Sequence, residues 1–269
     1  MRSIATNLGF IFALGMAAVM PIKSADAYFT AAQLAAISAT PPPTARLPLQ
    51  LAFRDESGDS ATIGSAIAGI PSVVIFADYT CHTLCGPILE FTAAGLAKSG
   101  LTPGADYRLV VIGINPRDGF DSARAMRTAH LGSTSPINRG AVFLSGDEAS
   151  IRAAATAVGL HYSYDSEHDQ YAHPAAAYIV DAAGRVRHLL SPLGLDGSDL
   201  RLALVDAGGG AIGNLADQIH LLCYGYDPVK GIYTERITTL LGYAAGITLF
   251  VMALGILAMM ARERRRVAP

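Results

Sequence analysis

The sequence predicts an α/β domain built on crossover units, followed by a single C-terminal membrane-spanning helix. Apolar runs of strand length, Val73–Ala77, Arg108–Ile114, Ala141–Leu144 and Ala176–Asp181, alternate with helical stretches at Gly86–Lys98, Phe120–His130 and Glu148–Val158. Alternation of this kind is what parallel strands joined by crossover helices produce. Near the end, Thr238–Met260 runs for 23 residues without a charge, roughly 35 Å of helix at about 1.5 Å per residue and enough for a bilayer's hydrocarbon core. The composition agrees: 51% of the 269 residues are hydrophobic and 16% charged, with a mean hydropathy of +0.36, apolar for a wholly soluble protein.

The elements follow in order. Arg2, the apolar run Leu8–Met20 and the small-x-small site Ala25-Asp26-Ala27 form an export signal over residues 1–27, leaving Tyr28 first in the mature chain. Residues 28–46 are Ala-rich, contain Pro41-Pro42-Pro43 and predict an extended linker. From Leu49, apolar Leu49, Leu51 and Phe53 alternate with other residues, Asp55–Asp59 forms a turn around Gly58, and Ala61–Ile63 returns as the second arm of a hairpin. The crossover units come next. Ala182-Ala183-Gly184 turns the last strand into Arg185–Leu190, Leu200–Ala207 forms a final helix, and Gly208-Gly209-Gly210 ends it. The domain therefore spans 47–207, with a juxtamembrane segment 208–237, the membrane helix 238–260 and a tail 261–269. Arg262 and Arg264–Arg266 in that tail place it on the cytoplasmic side and the domain outside.

Several function classes are excluded. Removing the charged ends from the formal charge of −2 leaves about −6 on residues 28–261, and there is no Trp and no basic patch, which argues against nucleic-acid binding. Gly208–Gly210 lacks the Lys-Ser/Thr of a phosphate-binding loop. Three cysteines are too few for a disulfide scaffold, so their placement carries the information.

Two of them stand in Asp78-Tyr79-Thr80-Cys81-His82-Thr83-Leu84-Cys85-Gly86-Pro87, directly after an apolar strand. A helix starting near Cys81 puts positions four apart on one face, so that both sulfurs converge, and the positive end of the helix favours thiolates. Such a pair suits a soft ion, Cu(I), Zn(II) or an iron–sulfur centre, with at least one further ligand, or it suits disulfide exchange. A structural disulfide closing so small a loop contributes little. The peroxiredoxin pattern Pro-x-x-x-Thr-x-x-Cys fails, because Val74 and Asp78 stand where Pro and Thr are required. His173, in Tyr171-Ala172-His173-Pro174 ahead of a strand, is the best-placed third ligand; His161 and His168 in the same loop are alternatives, and His82 is an exposed residue or a neighbour that lowers the thiol pKa. His220 and Cys223, three apart in a Tyr-rich segment that has an interfacial look, offer a second, weaker metal pair.

Over roughly Leu47–Val205 the chain resembles the Sco/SenC family of exported, thioredoxin-like copper proteins that help assemble the copper centre of cytochrome c oxidase. The resemblance rests on Tyr79-Thr80-Cys81 with Cys85, on Gly113-Ile114-Asn115-Pro116-Arg117-Asp118, and on His173 ahead of Tyr178-Ile179-Val180-Asp181 with Gly184. It implies a thioredoxin-like domain with an N-terminal hairpin and a copper site, for Cu(I) and Cu(II), made of Cys81, Cys85 and His173. It also implies a metallochaperone on the outer face of a bacterial inner membrane, serving the copper-site subunit of cytochrome c oxidase or another periplasmic copper protein. Cys81 and Cys85 as the redox pair of a thiol–disulfide oxidoreductase is the alternative. Two departures stand out: Cys81-His82-Thr83-Leu84-Cys85-Gly86 replaces the family's Cys-Pro-Asp-x-Cys-Pro, and the anchor follows the domain instead of preceding it.

Overall fold

A computed structural model of the chain describes residues 37–81, 85–132, 134–235 and 237–267. The expected export signal, residues 28–36 of the expected linker, and His82 lie outside them.

The chain enters through β1 (Ser38–Ala39). The expected hairpin follows as β2 (Ala52–Asp55) and β3 (Ser60–Thr62), closed by Asp55 Oδ1, which accepts from the backbone N–H groups of Ser57 and Asp59 at 2.8 and 3.1 Å. Ile63 does not belong to its second arm. Thr62 instead caps a five-residue helix, α1 (Ile63–Ile67), accepting at Oγ1 from Ser65 N at 3.0 Å; a local cap outweighs β-branched strand preference once Ile63 has a core to enter.

Three strand–helix pairs, joined by two parallel crossovers, come next: β4 (Ser72–Ala77), α2 (Cys85–Lys98), β5 (Arg108–Gly113), α3 (Phe120–Leu131), β6 (Ala141–Ser145) and α4 (Glu148–Ala157). The loop beyond α4 holds three short strands, β7 (Leu160–His161), β8 (Ser163–Asp165) and β9 (Gln170–Ala172). The expected second hairpin is β10 (Ala177–Val180) and β11 (Val186–Leu190), followed by α5 (Gly197–Ala207).

The main sheet runs β11-β10-β4-β5-β6-β2-β3, with β4, β5 and β6 parallel at its centre. Because side chains alternate along a strand, the two faces separate cleanly. Val73, Ile75, Val111, Phe143 and Ile179 pack with Leu89 of α2, Met126 of α3 and Leu200 of α5 on one face. Val74, Phe76, Val110, Ile112 and Tyr178 pack with Ile67 of α1 and Ile151 of α4 on the other. The result is a three-layer α/β/α domain whose central strands are buried on both sides, which is why they read as unbroken apolar runs.

Two boundaries differ from expectation. The end of the expected linker is built into the domain: Ser38 and Ala39 pair with His161 and Leu160, and Ala45 is buried. The segment after α5 is also structured, as α6 (Leu215–Cys223), β12 (Tyr224–Asp227) and β13 (Ile232–Glu235). Its tyrosines serve the domain: Tyr233 is buried and its N–H donates to Asp199 Oδ2 at 3.1 Å, while the Tyr226 hydroxyl accepts from Leu189 N at 3.0 Å.

The last element, α7 (Ile237–Val267), has 31 residues. Among the described residues no helix is long and apolar enough to cross a membrane.

Candidate metal centre

The site forms where the central strands end. Asp78 follows β4 directly and is fully buried. Its Oδ1 accepts from Thr80 N at 3.1 Å and Thr80 Oγ1 at 2.9 Å, and its Oδ2 accepts from Tyr171 N at 2.8 Å. One carboxylate thereby ties the cysteine turn to β9, the strand that leads into His173. Tyr79 is the second anchor: its hydroxyl faces the carbonyl oxygens of Val111 and Leu144 at 2.9 and 2.8 Å, and its N–H donates to Asp118 Oδ2 at 2.8 Å. A Cβ on Gly113 would lie 2.9 Å from the Tyr79 ring, so that glycine makes room for it. Burial and the neighbouring Asp78 push the Asp118 carboxyl up to about 6.

Cys81 stands in non-helical backbone after this turn, its N–H donating to the Asp78 carbonyl at 3.1 Å. Cys85 is the first residue of α2 and is 1% exposed, whereas Cys81 is half-buried. The two sulfurs thus do not share a helix face as the spacing argument expects; the turn after β4 brings Cys81 up to Cys85. The expected low-pKa thiolate is also corrected. The neighbouring Cys81 thiol and burial drive Cys85 far above the ordinary thiol range, because low polarity opposes ionisation more strongly than the helix end favours it.

His173 reaches the same point from the far side. Its Nε2 lies 3.0 Å from Cys85 Sγ, and its Nδ1 lies 3.1 Å from the carbonyl oxygen of Pro174. A carbonyl only accepts, so Nδ1 carries the hydrogen and Nε2 presents its lone pair to the thiol. Burial lowers the His173 pKa and keeps the ring neutral, the form that ligates metals. Among the described residues no three His, Cys, Asp or Glu side chains form a closed metal cluster; the arrangement is two pairs, Cys85 with His173 and Cys85 with Cys81, that share Cys85.

Of the alternative histidines, His161 is exposed on β7 and pairs with β1. His168 is held by Asp165 at 2.7 Å and lines a cavity of about 420 Å³ with Thr80, Asn115, Arg117 and Asp118. The structure therefore brings His173 to the cysteines and leaves His161 and His168 in other contacts. The side chain of Cys223 is outside the described residues, so the His220–Cys223 pair has no described geometry. Residue-by-residue chemistry missed Asp78 as an organiser of the site; its signal was a lone carboxylate between an apolar strand and the first cysteine.

A central parallel sheet flanked by helices, with a dithiol at a strand–helix junction and a histidine entering from the loop opposite, defines a thioredoxin-like domain equipped to bind a soft ion. The chain belongs to the SCO1/SenC family, whose model matches residues 44–200. No curated protein sequence matches it. Among solved structures it is similar to a putative electron transfer protein from Aquifex aeolicus VF5, at 14% identity and a TM-score of 0.53 over 62% of this chain and 94% of that one. It is also similar to BsSco, described as a Sco-family cytochrome c oxidase assembly protein with a disulfide switch, at 17% identity and a TM-score of 0.51 over 64% and 98%. ScoI of Arabidopsis thaliana, solved with copper bound, is 18% identical, with a TM-score of 0.48 over 58% and 94%.

Proposed function

We propose that this chain is a membrane-tethered periplasmic copper metallochaperone that assists assembly of the copper centre of cytochrome c oxidase. The observation that carries the reading is the approach of His173 Nε2 to Cys85 Sγ at 3.0 Å, with the Cys81 thiol beside it, in a domain of the SCO1/SenC family. Two sulfurs select a soft ion such as Cu(I), and a neutral imidazole adds the borderline donor that Cu(II) needs. Copper is cargo here. Loading must expel the thiol protons, so the strength of the copper–thiolate bonds replaces a pre-formed thiolate as the driving force. Release is ligand exchange, and the half-buried Cys81 is the sulfur that a recipient meets first.

The tether is α7. Its support is the uncharged run Thr238–Met260 within one continuous helix, followed by Arg262 and Arg264–Arg266. The bacterial inner membrane, an exported domain and a cytoplasmic C-terminus follow from this reading together with the signal at 1–27.

One observation favours a second reading, a thiol–disulfide oxidoreductase: Cys81 and Cys85 are thiols not joined in a disulfide, and their side chains interact. Metal content and thiol count of the full chain, purified in detergent under reducing conditions, separate the two. The chaperone reading expects one copper per chain with loss of binding in Cys85→Ser. Copper binding no stronger than in a cysteine-free variant, with rapid reduction of a disulfide substrate, overturns it.

A further inference from the structure

Asp78 carries a buried carboxylate that no cation balances. The residue is fully buried, and among the described residues the ion pairs lie elsewhere; Arg117, for one, is taken by Asp169 at 2.6 Å. The neighbouring Asp118 is a second acid, not a counter-charge. The partners of the Asp78 side chain are donors instead: besides Thr80 and Tyr171, the side-chain amide of Asn115 donates to Oδ1 at 3.4 Å. Donors on both oxygens suit an ionised carboxylate, which only accepts. Burying a charge without a counter-ion is costly, and this one stands at the metal centre. The main-chain carbonyl of Asp78 accepts from Cys81 N at 3.1 Å, Thr80 adjoins Cys81, and Tyr171 lies two residues before His173. The charge is felt at both Cys85 and His173. The Cys81 thiol and burial lead the rise of the Cys85 pKa and Asp78 adds to it; at His173 burial lowers the pKa and Asp78 opposes it.

We infer that Asp78 sets the oxidation-state preference of the copper centre: its fixed negative charge favours Cu(II) over Cu(I) and loosens the hold on the cuprous ion. The inference rests on the copper reading above. With two thiolates and a neutral imidazole, Cu(II) makes a neutral complex and Cu(I) a singly negative one. A buried anion nearby raises the energy of the negative complex and leaves the neutral one almost untouched, because the weak screening of a protein interior lets charge act over several ångströms. Asp78 passes on neither proton nor electron; it acts on the bound ion through its charge. A Cu(I) complex held less tightly is one that ligand exchange with a recipient empties more readily.

The test uses the full chain in detergent, loaded with one copper. Spectroelectrochemistry, with the electrode supplying the electron, gives the midpoint potential, and equilibrium competition with bicinchoninate gives the Cu(I) affinity. Asp78→Asn keeps the shape of the side chain and removes its charge. It should bind Cu(I) about tenfold more tightly, the size of one unit charge within about 10 Å at a protein's effective dielectric. The midpoint should rise accordingly by about 59 mV, the one-electron equivalent of a factor of ten. Asp78→Ser, whose hydroxyl can still accept from one N–H, gives the same two readings if Asp78→Asn does not fold. An unchanged or lowered midpoint overturns the inference. So does a raised midpoint with Cu(I) held no more tightly, which would come from Cu(II) lost as His173 shifts and would make Asp78 an anchor only. Undiminished copper binding by Cys85→Ser is a different outcome: it removes the copper-site reading itself.

Discussion

His173 Nε2 and Cys85 Sγ meet at 3.0 Å across 88 residues of sequence. The contact joins the loop after β9 to the first residue of α2, and Asp78 holds both sides, through Thr80 on one and Tyr171 on the other. Removing the imidazole should therefore take a ligand away without loosening the turn. In His173→Ala, Cu(II) affinity should fall by at least about tenfold and the sulfur-to-copper charge-transfer absorption should vanish, while Cu(I) is retained on two thiolates. Copper titration followed by visible absorption measures this; an unaltered Cu(II) spectrum would remove His173 from the ligand set.

Asp118 should leave a pH signature on stability. Its folded carboxyl titrates near 6, above the usual unfolded value of about 3.9. Between these values the folded state binds the extra proton, so its contribution favours folding below about pH 4 and is lost as pH rises through 6. Against Asp118→Asn, the parent should therefore lose on the order of 1–3 kcal/mol between pH 4 and 7. Urea unfolding of both proteins at the two pH values checks it, and parallel curves would refute the assignment.

The C-terminal hairpin should matter to the fold. Tyr233 is buried against the core and its N–H is tied to Asp199. Tyr233→Ala should destabilise the domain by about 3 kcal/mol or more, the range for truncating a large buried ring. A shift below about 0.5 kcal/mol in chemical denaturation, the level of an ordinary surface substitution, would mean that the segment is only a tether.

Topology is checked with alkaline phosphatase fusions. A fusion placed within 28–236 should be active and one after Arg266 inactive, as the proposed orientation requires of the arginines following Met260. Equal activity at both positions would exclude the proposed orientation.

Cys223 should lie outside copper handling, because it ends α6 in the segment beyond the triple glycine. Cys223→Ser should leave the copper stoichiometry of the full chain unchanged by metal analysis; loss of one equivalent would assign it a site.

The sequence by itself determined the framework. β4, β5 and β6 are apolar without interruption because both faces of a central parallel strand are covered. It also placed the cysteine pair at a strand end, since strand and motif are contiguous. Which histidine joins the pair was not local information: His161, His168 and His173 lie within thirteen residues of one another, and only the pairing of Tyr171 N with Asp78 turns the third toward Cys85. Residues 28–46 read as an extended linker because they are rich in Ala and Pro, and 208–237 as a juxtamembrane segment, yet Ala45 and Tyr233 find partners on elements distant in sequence. The protonation of Cys85 was likewise decided by tertiary structure. A helix end favours thiolate as a matter of sequence position, but a hydrogen-bonded second thiol and desolvation depend on what the fold brings alongside, and here they are the larger effects.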